Sequence, residues 1–193
     1  MEARWCITAT PSRTISVMSR PTSAGILLYR RAADGDGLEV LLAHPGGPWF
    51  TTKDAGHWSI PKGEADGDES LADVARREFT EETGHAVPDA LPIELGSIVQ
   101  KGGKTVHAWA VEGDLDPATA HSNVFETEWP PRSGKRASFP EIDRVAWFGP
   151  AAARRMIKPT QIPLLDRLEA ALDGSRATVR RTTISGARTD PDG

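Results

Sequence analysis

Cysteine is nearly absent: Cys6 is the single one among 193 residues, which rules out an internal disulfide and leaves no thiolate cluster for zinc. That usage agrees with a reducing compartment, and the cytoplasm is the expected location. Long apolar runs are missing as well. No stretch approaches the roughly 20 residues a spanning helix requires, and the N-terminus lacks the continuous apolar core of a secretory signal, so no membrane association is expected. A net charge of −4 gives no broad cationic surface. Extended nucleic-acid binding is therefore not expected, whereas a small anionic substrate needs only a local cationic pocket. There is no internal repeat, and 38% hydrophobic content suits one domain with a core.

The chemistry is concentrated between Gly63 and His85, GEADGDESLADVARREFTEETGH. Residues 69–83 are predicted to be helical: Ser70 and Asp73 form a capping pattern, acids crowd the first turn, and Gly84 follows the last. Leu71, Val74, Ala75 and Phe79 make the apolar stripe. At about 100° per residue, Glu78 and Glu82 fall within roughly 30° of its centre and Glu81 about 70° to one side. Asp73, Arg76 and Thr80 take the opposite face. Carboxylates that continue a buried stripe repel one another and resist desolvation, so a positive partner is required. Clustered carboxylate oxygens suit a hard divalent cation such as Mg²⁺. Ile60-Pro61-Lys62-Gly63, just before, adds a lysine for phosphate and a glycine whose bare backbone admits close approach.

The remainder reads as a frame. Residues 1–20 show no sustained period and are expected to be an unstructured extension, Arg-rich like a transit peptide, with Met18 an alternative start. SAGILLYRR and LEVLLAH are predicted strands joined at Asp34–Gly37. A Gly- and Pro-rich loop over 45–56 carries Trp49, Phe50 and Lys53, which either stack a base and hold a phosphate or cover the core edge. The segment HWSI is read as a short strand. PIELGSIVQ and TVHAWAVEG flank a turn with Lys101 and Lys104, possible guards of an edge strand. FETEW is a strand edge, and PPRSGKR a basic, proline-stiffened segment in which Arg132, Lys135 and Arg136, with Trp129 as a platform, are candidate substrate contacts. EIDRVAWF is a strand. AAARRMI and QIPLLDRLEAALD are closing helices, the second packing through Leu164, Leu165, Leu168 and Leu172. Residues 174–193 are polar and expected to be an unstructured tail.

Gly63, five residues, Glu69, seven residues, then Arg77-Glu78-Phe79-x-Glu81-Glu82-x-Gly84 resembles the box of the Nudix hydrolase family at every position but the last, where His85 replaces an apolar residue. Ala86 and Val87 are candidates for the missing contact. Seven matches at fixed spacing make this a specific signal. The resemblance covers residues 22–173. It implies an α/β fold, an α/β/α sandwich with a mixed sheet, and metal-dependent hydrolysis of a pyrophosphate linkage in nucleoside diphosphates joined to another group.

The resemblance also implies roles. Gly63, Glu78, Glu81 and Glu82 would hold Mg²⁺ or Mn²⁺, joined by Glu141, for which Glu126 and Glu128 are rivals. One of Glu78, Glu82 and Glu141 would take the proton from water. Glu69 is read as structural, Arg77 as orienting the glutamates, and Lys62 as a phosphate contact. The W-S-I-P-K-G approach to the box is similar to that of diadenosine tetraphosphate hydrolases and RNA 5′-pyrophosphohydrolases, so a (di)nucleoside polyphosphate is the first expectation. Gly102 stands where the former tend to carry tyrosine, and Gln100 where ADP-ribose pyrophosphatases carry proline. A housecleaning nucleoside triphosphate pyrophosphatase and a non-catalytic nucleotide or RNA-end binding module are the alternatives.

Overall fold

Alternating apolar side chains on a strand covered by helices on both faces give a near-continuous hydrophobic run, and GILLY is such a run. In the computed structural model, which describes residues 21–32 and 37–185 with side chains to 175, it lies at the centre of β1 (Thr22–Arg31). The other elements are β2 (Leu38–Pro45), β3 (Lys62–Glu64), α1 (Leu71–Thr83), β4 (Ile93–Val99), β5 (Thr105–Glu112), β6 (Val124–Glu128), β7 (Arg136–Pro140), β8 (Ile142–Phe148), α2 (Pro150–Met156) and α3 (Ile162–Ser185). The main sheet runs β4-β5-β1-β2-β8, with β3 beside the start of β1. β1 and β5 pair in parallel from Thr22↔Thr105 to Tyr29↔Glu112, and the other pairings are antiparallel, so the sheet is mixed.

Side chains alternate between two cores. Ala24, Ile26 and Leu28 of β1, with Leu41 and Ala43 of β2, pack against Val74, Ala75 and Phe79 of α1. Leu27, Tyr29, Val40 and Leu42 face the other way, onto Ala153, Ile157, Leu164, Leu165 and Leu168. Three layers result, as expected for the α/β/α sandwich. Ser70 caps α1: its Oγ accepts from Asp73 N–H at 3.2 Å and donates to the Asp73 carboxylate at 2.6 Å. Gly84 ends the helix with φ of 74°, a left-handed conformation that glycine adopts without strain. Val87 supplies the apolar contact after the helix, Ala86 is exposed, and His85 Nε2 is hydrogen-bonded to Thr119 Oγ1 at 3.0 Å.

Three local expectations are corrected. HWSI is not a strand: Trp58 and Ser59 make single bridges to Ile157 and Ala43. Ile60 N–H is taken by Gln161 Oε1 at 3.0 Å, and Pro61 has no N–H to offer, so the ladder starts only at Lys62. The segment after PPRSG is β7, paired with β6 from Val124↔Pro140 to Glu128↔Arg136. Alternation of half-buried Phe125 and Thr127 with exposed neighbours marks one covered face, but pairing with a basic partner leaves no local trace. The helix through the leucine stripe continues past Asp173 to Ser185. Once Leu164 and Leu168 anchor it, Arg- and Ala-containing sequence without proline propagates the helix. Residues 1–20, the turn at 33–36 and residues 186–193 lie outside the described residues. Among the described residues no helix is long and apolar enough to cross a membrane.

Candidate active site

Because α1 buries Val74, Ala75 and Phe79, the carboxylates one turn on are carried toward the sheet. Glu78 keeps 13% of its side-chain exposure, while Asp73, Arg76 and Thr80 are exposed, as the helical geometry predicts. Glu82 Oε2 accepts the Lys62 backbone N–H at 3.0 Å, which ties β3 to α1. A Cβ on Gly63 would lie 1.8 Å from Glu78 Oε2, and one on Gly25 would lie 2.4 Å from Lys62 Cβ. Both glycines are needed for the close approach of backbone and carboxylate at this corner.

Arg77 organises the rest. Nη1 donates to Glu78 Oε1 at 2.6 Å and to Glu81 Oε2 at 3.3 Å; Nε and Nη2 reach the two Glu69 oxygens at 3.4 and 3.3 Å, and Nη2 also donates to Glu64 O. Glu69 is thus the outer support of the arginine. Hydrogen bonding to Glu69 leads the effects that raise the Arg77 pKa further above its ordinary value. Lys104 Nζ donates to Glu64 Oε1 at 2.6 Å, so this lysine braces β3 from the β4–β5 turn.

A cleft of about 500 Å³ opens over this corner. Lys62, Gly63, Glu64, Glu78, Glu81 and Glu82 form one wall. Glu141, Asn123 and Phe125 form another, and Pro45, Gly46 and Phe50 of the loop after β2 complete it. Among the acidic rivals, Glu141 lines the cleft; Glu126 pairs instead with Arg136 at 3.1 Å, and Glu128 accepts from Gly134 N–H at 2.7 Å. The walls do not include Trp49, Lys53, Trp129 or Arg132. Trp49 is 46% exposed and meets Trp129 edge-on at 5.5 Å. Trp129 packs at 6.5 Å on Phe139, which lies 6.2 Å from Phe125, so these rings back the cleft wall rather than form it. Lys53 Nζ sits 5.4 Å from the Phe50 ring centre, and Arg132 is at the β6–β7 tip with φ of 65°. Phe125 and Asn123 were missed by sequence reasoning because only the β6–β7 pairing brings them here.

Burial pushes the Glu82 carboxyl up to about 7, against the opposing Lys62 charge and N–H and with help from Glu78 and Glu141. Burial also raises Glu78, with Arg77 opposing and Glu81 and Glu141 adding. A carboxyl raised on folding binds more protons in the folded state between its unfolded and folded values. Its contribution is therefore present in acid and lost as pH rises from about 4.5 to about 7. Thermal melting of the protein in chelator is expected to show stability falling through that window, with a flatter profile in Glu82→Gln; identical profiles would mean that Glu82 is not desolvated.

The donor set of this corner is all oxygen: carboxylates of Glu78, Glu81, Glu82 and Glu141 and the Gly63 backbone. Mutual repulsion of clustered carboxylates, strongest for the desolvated Glu78 and Glu82, is what a bound cation relieves, so the residues fit Mg²⁺ or Mn²⁺. In this conformation Arg77 bridges Glu78 and Glu81, and no three His, Cys, Asp or Glu side chains among the described residues are gathered into a cage.

Known proteins share this architecture. Residues 19–168 match the NUDIX domain, whereas no curated protein gives a significant match. Among solved structures, a C. elegans Ap4A hydrolase binary complex superposes with a TM-score of 0.56 at 19% identity, covering 79% of this chain and 98% of that one. The NUDIX domain of Shewanella oneidensis NrtR complexed with ADP ribose gives 0.56 at 16% identity, covering 80% and 89%. A mutT/nudix family protein from Listeria innocua gives 0.55 at 17% identity, covering 82% and 97%. At these identities the structures speak for the fold, while the match over residues 19–168 speaks for the family. The chain belongs to the NUDIX family, a family of hydrolases acting on phosphorus-containing anhydrides.

Proposed function

We propose that the protein is a metal-dependent pyrophosphohydrolase that cleaves a phosphoanhydride bond in a nucleoside diphosphate-linked substrate, with a (di)nucleoside polyphosphate as the preferred class. The observation that carries this reading is that the four carboxylates and Lys62 line one cleft together with the rings of Phe50 and Phe125. Phosphates and a nucleobase need those two kinds of wall. The W-S-I-P-K-G approach to the box supports the polyphosphate class, and the Ap4A hydrolase is one of the proteins that share the fold.

Glu78, Glu81, Glu82 and Glu141, with the Gly63 backbone, would hold Mg²⁺ or Mn²⁺. Such a cation neutralises phosphate oxygens and lowers the pKa of water. Lys62 contacts the phosphate chain by its charge, while its N–H keeps one Glu82 oxygen fixed. One of Glu78, Glu82 and Glu141 accepts the proton of the attacking water. The new P–O bond forms as the bridging P–O bond breaks, and the departing phosphate carries the electron pair away. Arg77 and Glu69 act through the glutamates, holding their oxygens by charge-assisted hydrogen bonds.

A product-resolved screen against diadenosine polyphosphates, nucleoside triphosphates, nucleotide sugars and ADP-ribose, with Mg²⁺ or Mn²⁺, tests the reading. Nucleotide products from diadenosine polyphosphates are expected. Monophosphate plus pyrophosphate from triphosphates alone would replace this substrate class by the housecleaning one. In Phe125→Ala, loss of a stacking wall is expected to raise KM about 10-fold with kcat within a few-fold, since base stacking contributes about 1–3 kcal/mol. An unchanged KM would remove Phe125 from the substrate site.

A further inference from the structure

The ring of His44, at the end of β2, is completely buried and is hydrogen-bonded at both nitrogens. Nε2 donates to the Lys53 backbone carbonyl at 2.5 Å; a carbonyl can only accept, so Nε2 carries hydrogen. Nδ1 is bonded to Asp143 Oδ1 at 2.7 Å. Lys53 lies at the far end of the turn that carries Phe50, and Asp143 lies two residues past Glu141. The backbone joins at the same corner, where Gly46 N–H donates to Glu141 O at 2.8 Å. A Cβ on Gly46 would fall 2.1 Å from the Pro140 carbonyl oxygen. Trp58 meets the imidazole edge-on at 5.1 Å, and its Nε1–H donates at 2.7 Å to Asp54, the neighbour of Lys53. Arg144 Nη2 also reaches Asp54, at 3.2 Å.

One buried ring therefore touches the loop that forms the Phe50 wall and the strand that begins beside Glu141. The backbone of residues 46–53 is outside any strand or helix; besides the bonds of its own turns, the Gly46 N–H to Glu141 and the Lys53 carbonyl to His44 hold it against the sheet. Leaving the buried Nε2–H unpaired is costly, so the Lys53–His44 bond ties the far end of the loop to β2, as the Gly46 N–H ties its near end to Glu141.

We propose that His44 is a positioning residue that sets the Phe50 wall of the carboxylate-lined cleft, and thereby controls substrate binding; this rests on the reading of the cleft as a nucleotide site. Turnover is affected little, because Glu78 and Glu82 stand on α1 and because β8 is held to β2 by its own ladder, from Val40↔Phe148 to His44↔Arg144.

His44→Phe keeps a ring and removes both hydrogen bonds, whereas His44→Gln keeps a side-chain N–H for the Lys53 carbonyl. In His44→Phe, KM for the cleaved nucleotide is expected to rise about 10-fold or more, with kcat within about threefold, as for loss of one buried hydrogen bond. Amide hydrogen exchange in peptides spanning 46–56 is expected to quicken by a similar factor, with α1 unchanged. His44→Gln restores most of both. Should His44→Phe not fold, Asp143→Ala, which removes the Nδ1 partner from a partly exposed position, carries the same test with the same direction and a smaller size. Unchanged exchange in the loop of a folded variant, a Gln variant no better than Phe, or a loss confined to kcat would each overturn the proposal. Exchange needs no substrate, so a wild type that cleaves no nucleotide counts against the cleft reading, while the loop data still decide the role of His44.

Discussion

Glu82→Gln is expected to lower kcat by about 10³-fold while leaving the fold intact, in line with loss of a general base or of a preorganised charge at the reacting phosphate. The substitution is nearly isosteric, and the amide oxygen still accepts the Lys62 N–H that ties β3 to α1. What it removes is the charge that burial makes expensive, the one held up to about 7. Activity and stability should therefore move in opposite directions: at pH 8 in chelator the variant melts no lower than wild type, and Mg²⁺ raises its melting temperature less. Steady-state product release and thermal melts with and without Mg²⁺ read both quantities. A folded variant with kcat within tenfold of wild type would take Glu82 out of the reaction.

Gly63→Ala is the second large effect, and its cause is space. The added Cβ would sit 1.8 Å from one Glu78 oxygen, 1.9 Å from Cδ and 2.3 Å from the other oxygen, so either the carboxylate or β3 must move. Glu78 is pinned by Arg77 at 2.6 Å, and β3 by the Ala24↔Gly63 pairing with β1. A displacement of about 1 Å at reacting groups costs about 10²-fold, and overpacking costs about 1–3 kcal/mol of stability. Loss of kcat by about 10²-fold, with a lowered melting temperature, is the expected result. Full activity would show that the Glu78 carboxylate works from elsewhere than its place beside Gly63.

Both variants lie in residues that sequence alone singled out, and the reason is local. The helix from Leu71 to Thr83 is legible through Ser70, Gly84 and the period of Leu71, Val74, Ala75 and Phe79, and that same period places Glu78 and Glu82 on the inward side. β1, β2, β4, β5 and β8 are legible because each is apolar over several residues between turn signals. Lys62-Gly63-Glu64 escaped as a strand because three residues carry no period, and β7 because its partner lies across a basic turn. Neither fact is written within reach of a short window.

The residue chemistry of the box, the two-sided burial of β1 and the leucine stripe of α3 were determined by sequence, since each depends on neighbours within a turn or two of the chain. Tertiary structure alone decided which aromatic rings wall the cleft, that Glu141 rather than Glu126 or Glu128 faces Glu78 and Glu82, and that Asp143, 99 residues from His44, bonds its ring. Those choices depend on which strand lies beside which. Strand pairing is set by the burial of whole faces, not by the residues that end up facing each other.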